Sequence, residues 1–549
     1  MAGSTEAPLS TPQADHRRGV RTWRWLARRR WRLWTIRGAE LTALVFAVVL
    51  GGVSATSLFP TTVQTDHYRA DVRLSALPTF TSTIHSPTSF GDLDLEFASP
   101  FPSPGIDATV QVRESITSLF DDRRVSIRAL QPSSQEITDA LGAGIIELAL
   151  KFAAGGLVVG AGSIALIAYA RRRRPTARQF WSVGLAGALA IGGTGLGILT
   201  TYQPDQLVRF RTTGLLGTVR SNAGLLAGVE ARAQEVTPYV TNLLALSAAL
   251  QEKFVPADIT KPPAARFLLV SDIHGANQYP VMARIIKDEQ ITAVIDSGDL
   301  LNLGSVTEAE LAGIFTSIKN LGVPYLFVRG NHDASSAADQ SLLRRMASIP
   351  NVVLLEPSPG SYTEVTINGV VLAGFNDPRF FGDDNKTIPQ KEQPAADAFN
   401  KAYAGLPRPD VVVTHEPTAA KMVDSATLLV NGHLHKDELE GNRIGVGTFT
   451  GGGTLSHFLV DQPGTGQQGS ADSGGELAGQ PYAFDIAVYG QSCDLTSLTR
   501  YTFRNLIQGR PVYDDVSVIN GKIIAGREPG QRICAADLGM SRTTVTVGR

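Results

Sequence analysis

The chain has 549 residues, enough for roughly three or four domains at ~150 residues each. Its 50 basic and 51 acidic side chains nearly cancel, so global charge argues for neither a nucleic-acid coat nor an acidic tail, and no nucleic-acid partner is expected. Any charge argument is local.

The first 40 residues read as a basic cytoplasmic amino terminus. Residues 1–15 are polar and rich in Pro, Ser and Thr, with too little apolar content to fold alone. Arg17, Arg18, Arg21, Arg24, Arg28 to Arg30, Arg32 and Arg37 follow, interleaved with Trp23, Trp25, Trp31 and Trp34. Charge then stops. No ionisable residue occurs from Leu41 to Phe59, and Pro60 closes a run of about 19 residues, the length that just spans a hydrocarbon core. A cleaved signal peptide is the competing reading; the long basic region and the lack of an A-x-A site count against it.

Residues 60–150 begin with short alternating runs divided by Pro and Gly ("DVRLSALPTF", "DLDLEF", "ATVQVRESI"), a β-rich exterior segment. Two more apolar runs follow, Phe152–Ala170 within 151–170 and Trp181–Tyr202 over 181–202, separated by an Arg-rich loop at 171–180. Three uncharged runs of spanning length predict a three-helix transmembrane region. Cytoplasmic flanks collect Lys and Arg, so the amino terminus and the loop with Arg171 to Arg174 and Arg178 belong inside, and everything after about Gln203 outside. The pairs Gly156/Gly160 and Gly193/Gly197 predict close helix packing. Absence of ionisable residues from the three runs argues against ion or proton movement.

Residues 203–263 read as a helical connector ending at a Pro-Pro boundary. From 264 to 460, apolar strands alternate with amphipathic helices near 279–289, 307–320 and 337–348, the pattern of a sheet with helical cover. Two alternating runs about Asn368-Gly369 predict a hairpin. Residues 463–475 read as a flexible loop. Within 461–549, "AFDIAVYG", "DDVSVING" and "KIIAGR" predict strands that complete or extend the domain. Cys493 and Cys534, both in the predicted exterior part, suit a disulfide there.

Each strand of the 264–460 region ends in the same kind of residue. The first gives Asp272-Ile-His274-Gly275, the second Gly298-Asp299, the third Arg329-Gly330-Asn331-His332-Asp333; later ones give His415 and Gly432-His433-Leu434-His435. Five of the nine histidines fall on these ends. One histidine at a strand end is usually satisfied locally, but ligand sites in open sheets form where strands terminate, so these donors should converge.

This ordered set resembles the signature of the calcineurin-like metallophosphoesterases and matches every element of it. The resemblance covers roughly residues 264–460. It implies an α/β, four-layer αββα sandwich carrying two divalent or trivalent metal ions (Mn, Fe, Zn or Co). One metal would be held by Asp272, His274, Asp299 and His435, the other by Asp299, Asn331, His415 and His433. A carboxylate offers two oxygens, so Asp299 is the sensible bridge. By the resemblance His332 is a general acid, oriented by Asp333. Arg329, Asn277, Asn376 and Arg379, with Asp377, are candidate substrate contacts.

The expected function is a membrane-anchored phosphoesterase acting outside the cytoplasm. A hydroxide bridging two metals would attack a phosphate mono- or diester, with an envelope lipid or polymer among the substrates membrane proximity favours. The alternative is a non-catalytic scaffold or membrane receptor, which predicts lost ligands; all seven are present.

Overall fold

Long apolar runs free of proline make helices, and short runs rich in Val, Ile and Leu bounded by Gly and Pro make strands. The computed structural model describes residues 16–213 and 262–547, apart from 66–67, 76–78, 89–90, 113–133, 171, 173, 175, 384–385, 425, 454–476, 478, 508 and 526–531. The 463–475 stretch and most of the connector lie outside the described residues.

The basic stretch and first apolar run form one helix, α1 (His16–Leu58). Strands β1 (Thr61–Gln64), β2 (Tyr68–Leu74), β3 (Thr79–Thr88), β4 (Gly91–Ser103) and β5 (Ile106–Val112) precede α2 (Ser134–Ala170) and α3 (Ala177–Thr201). Three stretches, Gly38–Leu58, Gly142–Ala170 and Gln179–Thr201, are long and apolar enough to cross a membrane. Helix α2 extends well before the run that starts at Phe152. Its Lys151 pairs with Glu147 at 2.6 Å and donates to the Pro60 carbonyl at 2.7 Å.

The two glycine pairs behave differently. A Cβ on Gly156 would meet Val48 of α1 at 2.8 Å, so this pair does sit at a helix contact, joined by Gly51 and Gly155, which approach each other's backbone. Gly193 faces open space and Gly197 faces Pro102 and Ser103 of β4, so the second pair is not a helix–helix contact.

After one 3-10 turn at Pro204–Gln206, the connector continues as a strand where a helix is expected. Residues Leu207–Thr213 form β6, which pairs with β4 on one side. "LVRFRTT" alternates with period two, and the stronger helical pattern downstream hides it.

The sheet-and-helix region supplies β7 (Ala265–Val270), α4 (Tyr279–Asp288), β8 (Ala293–Asp296), α5 (Val306–Leu311), α6 (Ile314–Lys319), β9 (Tyr325–Phe327), α7 (Ser341–Ala347) and β10 (Val352–Leu354). The single helix expected at 307–320 is two, because Gly313 takes a left-handed φ of 69° between them. Next come β11 (Ser361–Ile367), β12 (Val370–Gly374), α8 (Ile388–Tyr403), β13 (Val411–Val413), α9 (Pro417–Lys421), β14 (Leu428–Asn431), β15 (Glu438–Glu440) and β16 (Arg443–Gly445). Asn368 and Gly369, at φ 54° and 94°, make the two-residue turn of the β11–β12 hairpin. The chain closes with β17 (Tyr482–Tyr489), β18 (Leu495–Ile507), β19 (Arg510–Asn520), a helix α10 (Gly521–Ala525) where "KIIAGR" suggested a strand, and β20 (Met540–Thr546).

Two sheets result. One has thirteen strands in the order β1-β2-β5-β3-β4-β6-β19-β18-β17-β7-β8-β9-β10; the other has seven, β15-β16-β14-β13-β12-β11-β20. Alternation along β7 sends Leu268 and Val270 to a core with Met282, Ile285, Phe315 and Leu342 of the covering helices, and Phe267 and Leu269 to a core shared with Val365, Leu372 and Val430 of the second sheet. Phe375 and Val412 pack Phe399 and Tyr403 of α8 on the far side. These three cores separate four layers, as the resemblance implied.

At the β15–β16 edge of the second sheet, the facing surface of the larger one turns polar. Arg500 on β18 pairs with Asp485 at 2.8 Å and donates across to Glu438 and Gly445 carbonyls, while Arg211 on β6 pairs with Asp515. Through β6 and β19, strands β1 to β5 are continuous with β7, β8 and β9, which carry candidate ligands at their ends.

Cys493 and Cys534 are bonded to each other, 41 residues apart. Cross-linking a loop of this length restricts the unfolded chain, so replacing both cysteines by alanine lowers stability by about 2–4 kcal/mol. Urea unfolding of the soluble-facing domain within the full chain reads this out; an unmoved midpoint contradicts it.

Candidate metal centre

The ligand candidates stand just past the ends of β7, β8, β9, β13 and β14, where side chains from separate strands meet. Their backbone is strained: among the described residues ten non-glycine positions have positive φ, and five of them are Asp272, His274, Asp299, His433 and His435. Left-handed backbone at non-glycine residues persists where the surroundings over-determine it, commonly at functional sites.

Two groups form. Asp272, His274 and His435 make one, and Asp299, His415 and His433 the other. In the first, His274 Nε2 lies 2.9 Å from His435 Nε2, and Asp272 Oδ1 lies 3.7 and 3.3 Å from those nitrogens. In the second, His415 Nε2 lies 3.2 Å from Asp299 Oδ2, 3.1 Å from Asn331 Oδ1 and 3.3 Å from His433 Nδ1. Asp299 Oδ2 is also 3.7 Å from His274 Nε2, so one oxygen faces both groups. Its other oxygen accepts the His332 N–H at 2.8 Å. Of the two oxygens expected to serve the two groups, Oδ2 is thus the one that faces both.

Neighbouring groups fix which atoms face inward. His274 Nδ1 lies 3.1 Å from the Leu301 carbonyl and His415 Nδ1 2.9 Å from that of Ser297. Donation to a carbonyl leaves each Nε2 with its lone pair toward the centre. His433 is turned the other way, with Nε2 3.2 Å from Glu416 Oε2 and Nδ1 inward. Asp272 Oδ2 accepts the His433 N–H at 3.0 Å, while Asp272 Oδ1 is buried with no hydrogen-bond partner. An orphaned carboxylate oxygen among converging imidazole nitrogens fits a cation, since such an atom is otherwise costly to bury. Mixed N/O donors suit Mn, Fe, Zn or Co.

Burial pushes the Asp272 carboxyl up, but the neighbouring His274 and His435 imidazoles, with the charge of His415, outweigh it and hold it well below the usual range. Burial likewise opposes the His415 imidazolium, and the charge of Asp299 overrides it and raises His415. Two glycines make room. A Cβ on Gly330 would fall 2.3 Å from Asp299 Oδ1, and one on Gly432 would fall 2.8 Å from Asp272 Oδ2.

His332 stays at the rim, half-buried, with Nδ1 2.6 Å from the Asn302 carbonyl and its ring 4.9 Å from that of His274. Asp333 does not orient it. Both Asp333 oxygens accept backbone N–H groups, from Asp299 at 2.9 Å, Gly330 at 2.8 Å and Leu301 at 2.9 Å. Asp333 thus ties together the ends of β8 and β9, and burial with the charge of Asp299 raises its carboxyl to about 7.

The four tentative substrate contacts have other partners. The buried Arg329 guanidinium donates to the carbonyls of Asp377, Asp339 and Arg379. Asn376 accepts the Arg329 N–H and donates to the Glu356 carbonyl, and Asn277 donates to the Ala312 carbonyl and Ser317. Arg379 is 2% exposed, bonded to Asp377 and Glu416 at 2.6 Å each, with Glu392 3.0 Å away. Of the acidic side chains that enclose Arg379, Asp377 is two residues away, whereas Glu392 and Glu416 come from α8 and the start of α9, distant in sequence.

Glu416 is the residue that sequence reasoning passed over, although it directly follows His415. Holding His433 by the nitrogen opposite the centre, it sets that ring's tautomer and aim. Glu416→Gln weakens metal binding at the second group about 10–100-fold; calorimetric titration of the stripped protein measures it, and unchanged affinity contradicts the assignment.

The family model described as calcineurin-like phosphoesterase matches residues 265–437. No curated protein matches the chain. Among solved structures, a dimetal phosphatase from Danio rerio is 11% identical, with 47% of this chain and 100% of that one covered at a TM-score of 0.29. A 5'-nucleotidase precursor from Thermus thermophilus is 12% identical (45% and 56% covered, TM-score 0.27). A purple acid phosphatase from yellow lupin, Lupinus luteus, is 14% identical (47% and 54% covered, TM-score 0.27). Likenesses this distant decide nothing about substrate.

Proposed function

Residues 265–437 being a calcineurin-like phosphoesterase segment, we propose that this protein is a membrane-anchored phosphoesterase that hydrolyses a phosphate mono- or diester outside the cytoplasm. The observation that carries the reading is the single oxygen, Asp299 Oδ2, facing His274 and His415 at 3.7 and 3.2 Å and so joining two ligand groups.

Asp272, His274 and His435 would hold one cation and Asn331, His415 and His433 the other, with Asp299 facing both groups. Two bound cations supply Lewis acidity, lowering the pKa of an attacking water and offsetting charge on phosphoryl oxygens. The chain's own residues supply the rest. Backbone carbonyls of Leu301 and Ser297 and the Glu416 carboxylate keep three imidazoles in the metal-accepting tautomer. His332, its Nδ1 held by the Asn302 carbonyl, moves a proton through Nε2 to the leaving oxygen. Asp333 keeps the β8 and β9 ends in register beneath it.

The Arg-rich amino terminus and the 171–180 loop support a cytoplasmic amino terminus and three spans, with the catalytic segment outside. The Cys493–Cys534 bond supports an oxidising compartment. The proposed units keep the boundaries read from the sequence, with β6 joining the exterior strands to the 264–460 domain and its carboxyl-terminal strands. Substrates presented at the membrane surface, an envelope lipid or polymer, suit this placement. Turnover of a panel of mono- and diesters by purified full-length protein, across Mn, Fe, Zn and Co, tests the reading; no hydrolysis with any metal contradicts it.

A further inference from the structure

We propose that the β3–β4 bulge is an interfacial wedge that seats in the lipid headgroup region and fixes the catalytic sheet on the membrane surface. This rests on the reading of α1, α2 and α3 as membrane spans.

The register of β3 and β4 jumps at one place. Thr79 pairs with Ser103 and Thr81 with Ala98, so Phe80 alone opposes the four residues Ser99 to Pro102. The extra residues read Ser-Pro-Phe-Pro, with Ser103-Pro104 next. Proline cannot donate to a ladder, which explains why pairing lapses here.

The bulge lies against the end of α3. A Cβ on Gly197 would come within 3.3 Å of the Pro102 carbonyl and 3.5 Å of Ser103 Cβ. Gly197 is one turn inside the apolar stretch Gln179–Thr201, roughly 6 Å below its end at 1.5 Å per residue. Ser99 Oγ is 2.5 Å from Thr201 Oγ1, and Tyr202 donates to the Pro104 carbonyl at 2.7 Å. The bulge therefore reaches the depth at which a span leaves the hydrocarbon.

Its chemistry suits that depth and not water. Phe80 is 65% exposed and Phe101 51%, on a bulge where an aqueous turn would carry Gly, Asn or Asp. Leu58 and Phe59, at the exit of α1, are exposed as well. Backbone N–H groups are costly where water is scarce, and Pro100, Pro102 and Pro104 have none. Phe and Leu side chains are among those that membrane-surface segments bury at the headgroup–acyl boundary. Because β4 pairs with β6 and β6 with β19, a wedge held there is connected by strand pairing to the strands that end in the ligands.

The test uses full-length protein with single added cysteines, F80C, F101C, L199C and L311C, each carrying a nitroxide and reconstituted into phosphatidylcholine–phosphatidylglycerol vesicles. The native cysteines are bonded to each other and take no label. Leu199 and Leu311 are both exposed, the first in α3 and the second on α5. Collisions with oxygen exceed those with a water-soluble nickel chelate at 80, 101 and 199, and the ratio reverses at 311. High nickel accessibility at 80 and 101 with a lipid-like signal at 199 overturns the wedge and leaves the spans intact. Shielding of 80 and 101 from both reagents means burial by protein and overturns it equally. A water-like signal at 199 removes the membrane reading itself.

Discussion

Asp299→Ala lowers kcat/KM for bis(p-nitrophenyl) phosphate and p-nitrophenyl phosphate by at least about 10³-fold, because Lewis-acid assistance is worth several kcal/mol and both ligand groups lose a donor at once. The geometry makes this position different from the others. Asp299 Oδ2 faces His274 and His415 together, whereas the Asp272 carboxylate belongs to one group. Asp299 Oδ1 also holds the His332 N–H, so the same change releases the proposed proton donor. His435→Ala, which touches only the first group, retains binding at the second. Undiminished turnover by metal-loaded Asp299→Ala sinks the site assignment, and equal loss of both metals in His435→Ala removes the distinction between the groups.

Arg379→Met destabilises the protein by about 3–5 kcal/mol, the usual cost of leaving a buried charge without its partner. Arg379 is enclosed by Asp377, Glu416 and Glu392, none more than 3% exposed. Burial and then the charge of Asp377 push the Glu392 carboxyl up to about 9, so it is neutral at pH 7 and adds no third negative charge. Against burial, the hydrogen bond and charge of Arg379 hold Asp377 below the usual range. Methionine fills the volume but leaves Asp377 and Glu416 facing each other without a counter-charge. Arg379→Lys recovers part of the loss, since it keeps the charge but not the planar fork. Urea unfolding measures both variants, and a loss below about 1 kcal/mol for Arg379→Met contradicts the account. Glu416 also holds His433, so weaker metal binding accompanies the lost stability.

The ligand set was legible because strand ends repeat one chemistry: Asp, His and Asn after short apolar runs, in an order that a fold can bring together. The Asn368-Gly369 hairpin was legible for a similar reason, since only residues tolerant of positive φ make that turn. What stayed hidden depended on partners far along the chain. Arg379 and Arg329 look like substrate contacts in sequence, yet Arg379 is paired with Asp377 and with Glu416 at the start of α9, and Arg329 donates to the carbonyls of Asp339, Asp377 and Arg379. Asp333 sits beside His332 in sequence but turns to backbone N–H groups of β8. Strand β6 is seven residues of alternation before a longer helical pattern, and its role as the join between β4 and β19 needs pairing information that no local window contains. Which Asp299 oxygen faces both groups is set by the His332 N–H on the other, again a tertiary contact.

Metal content measured alongside turnover tests the central claim most directly. Purified full-length protein, stripped with chelator and titrated with Mn(II), binds two equivalents per chain, and hydrolysis of a phosphate ester appears only as the second is taken up. Binding of fewer than two equivalents, or turnover that persists in the stripped protein, contradicts a two-metal phosphoesterase.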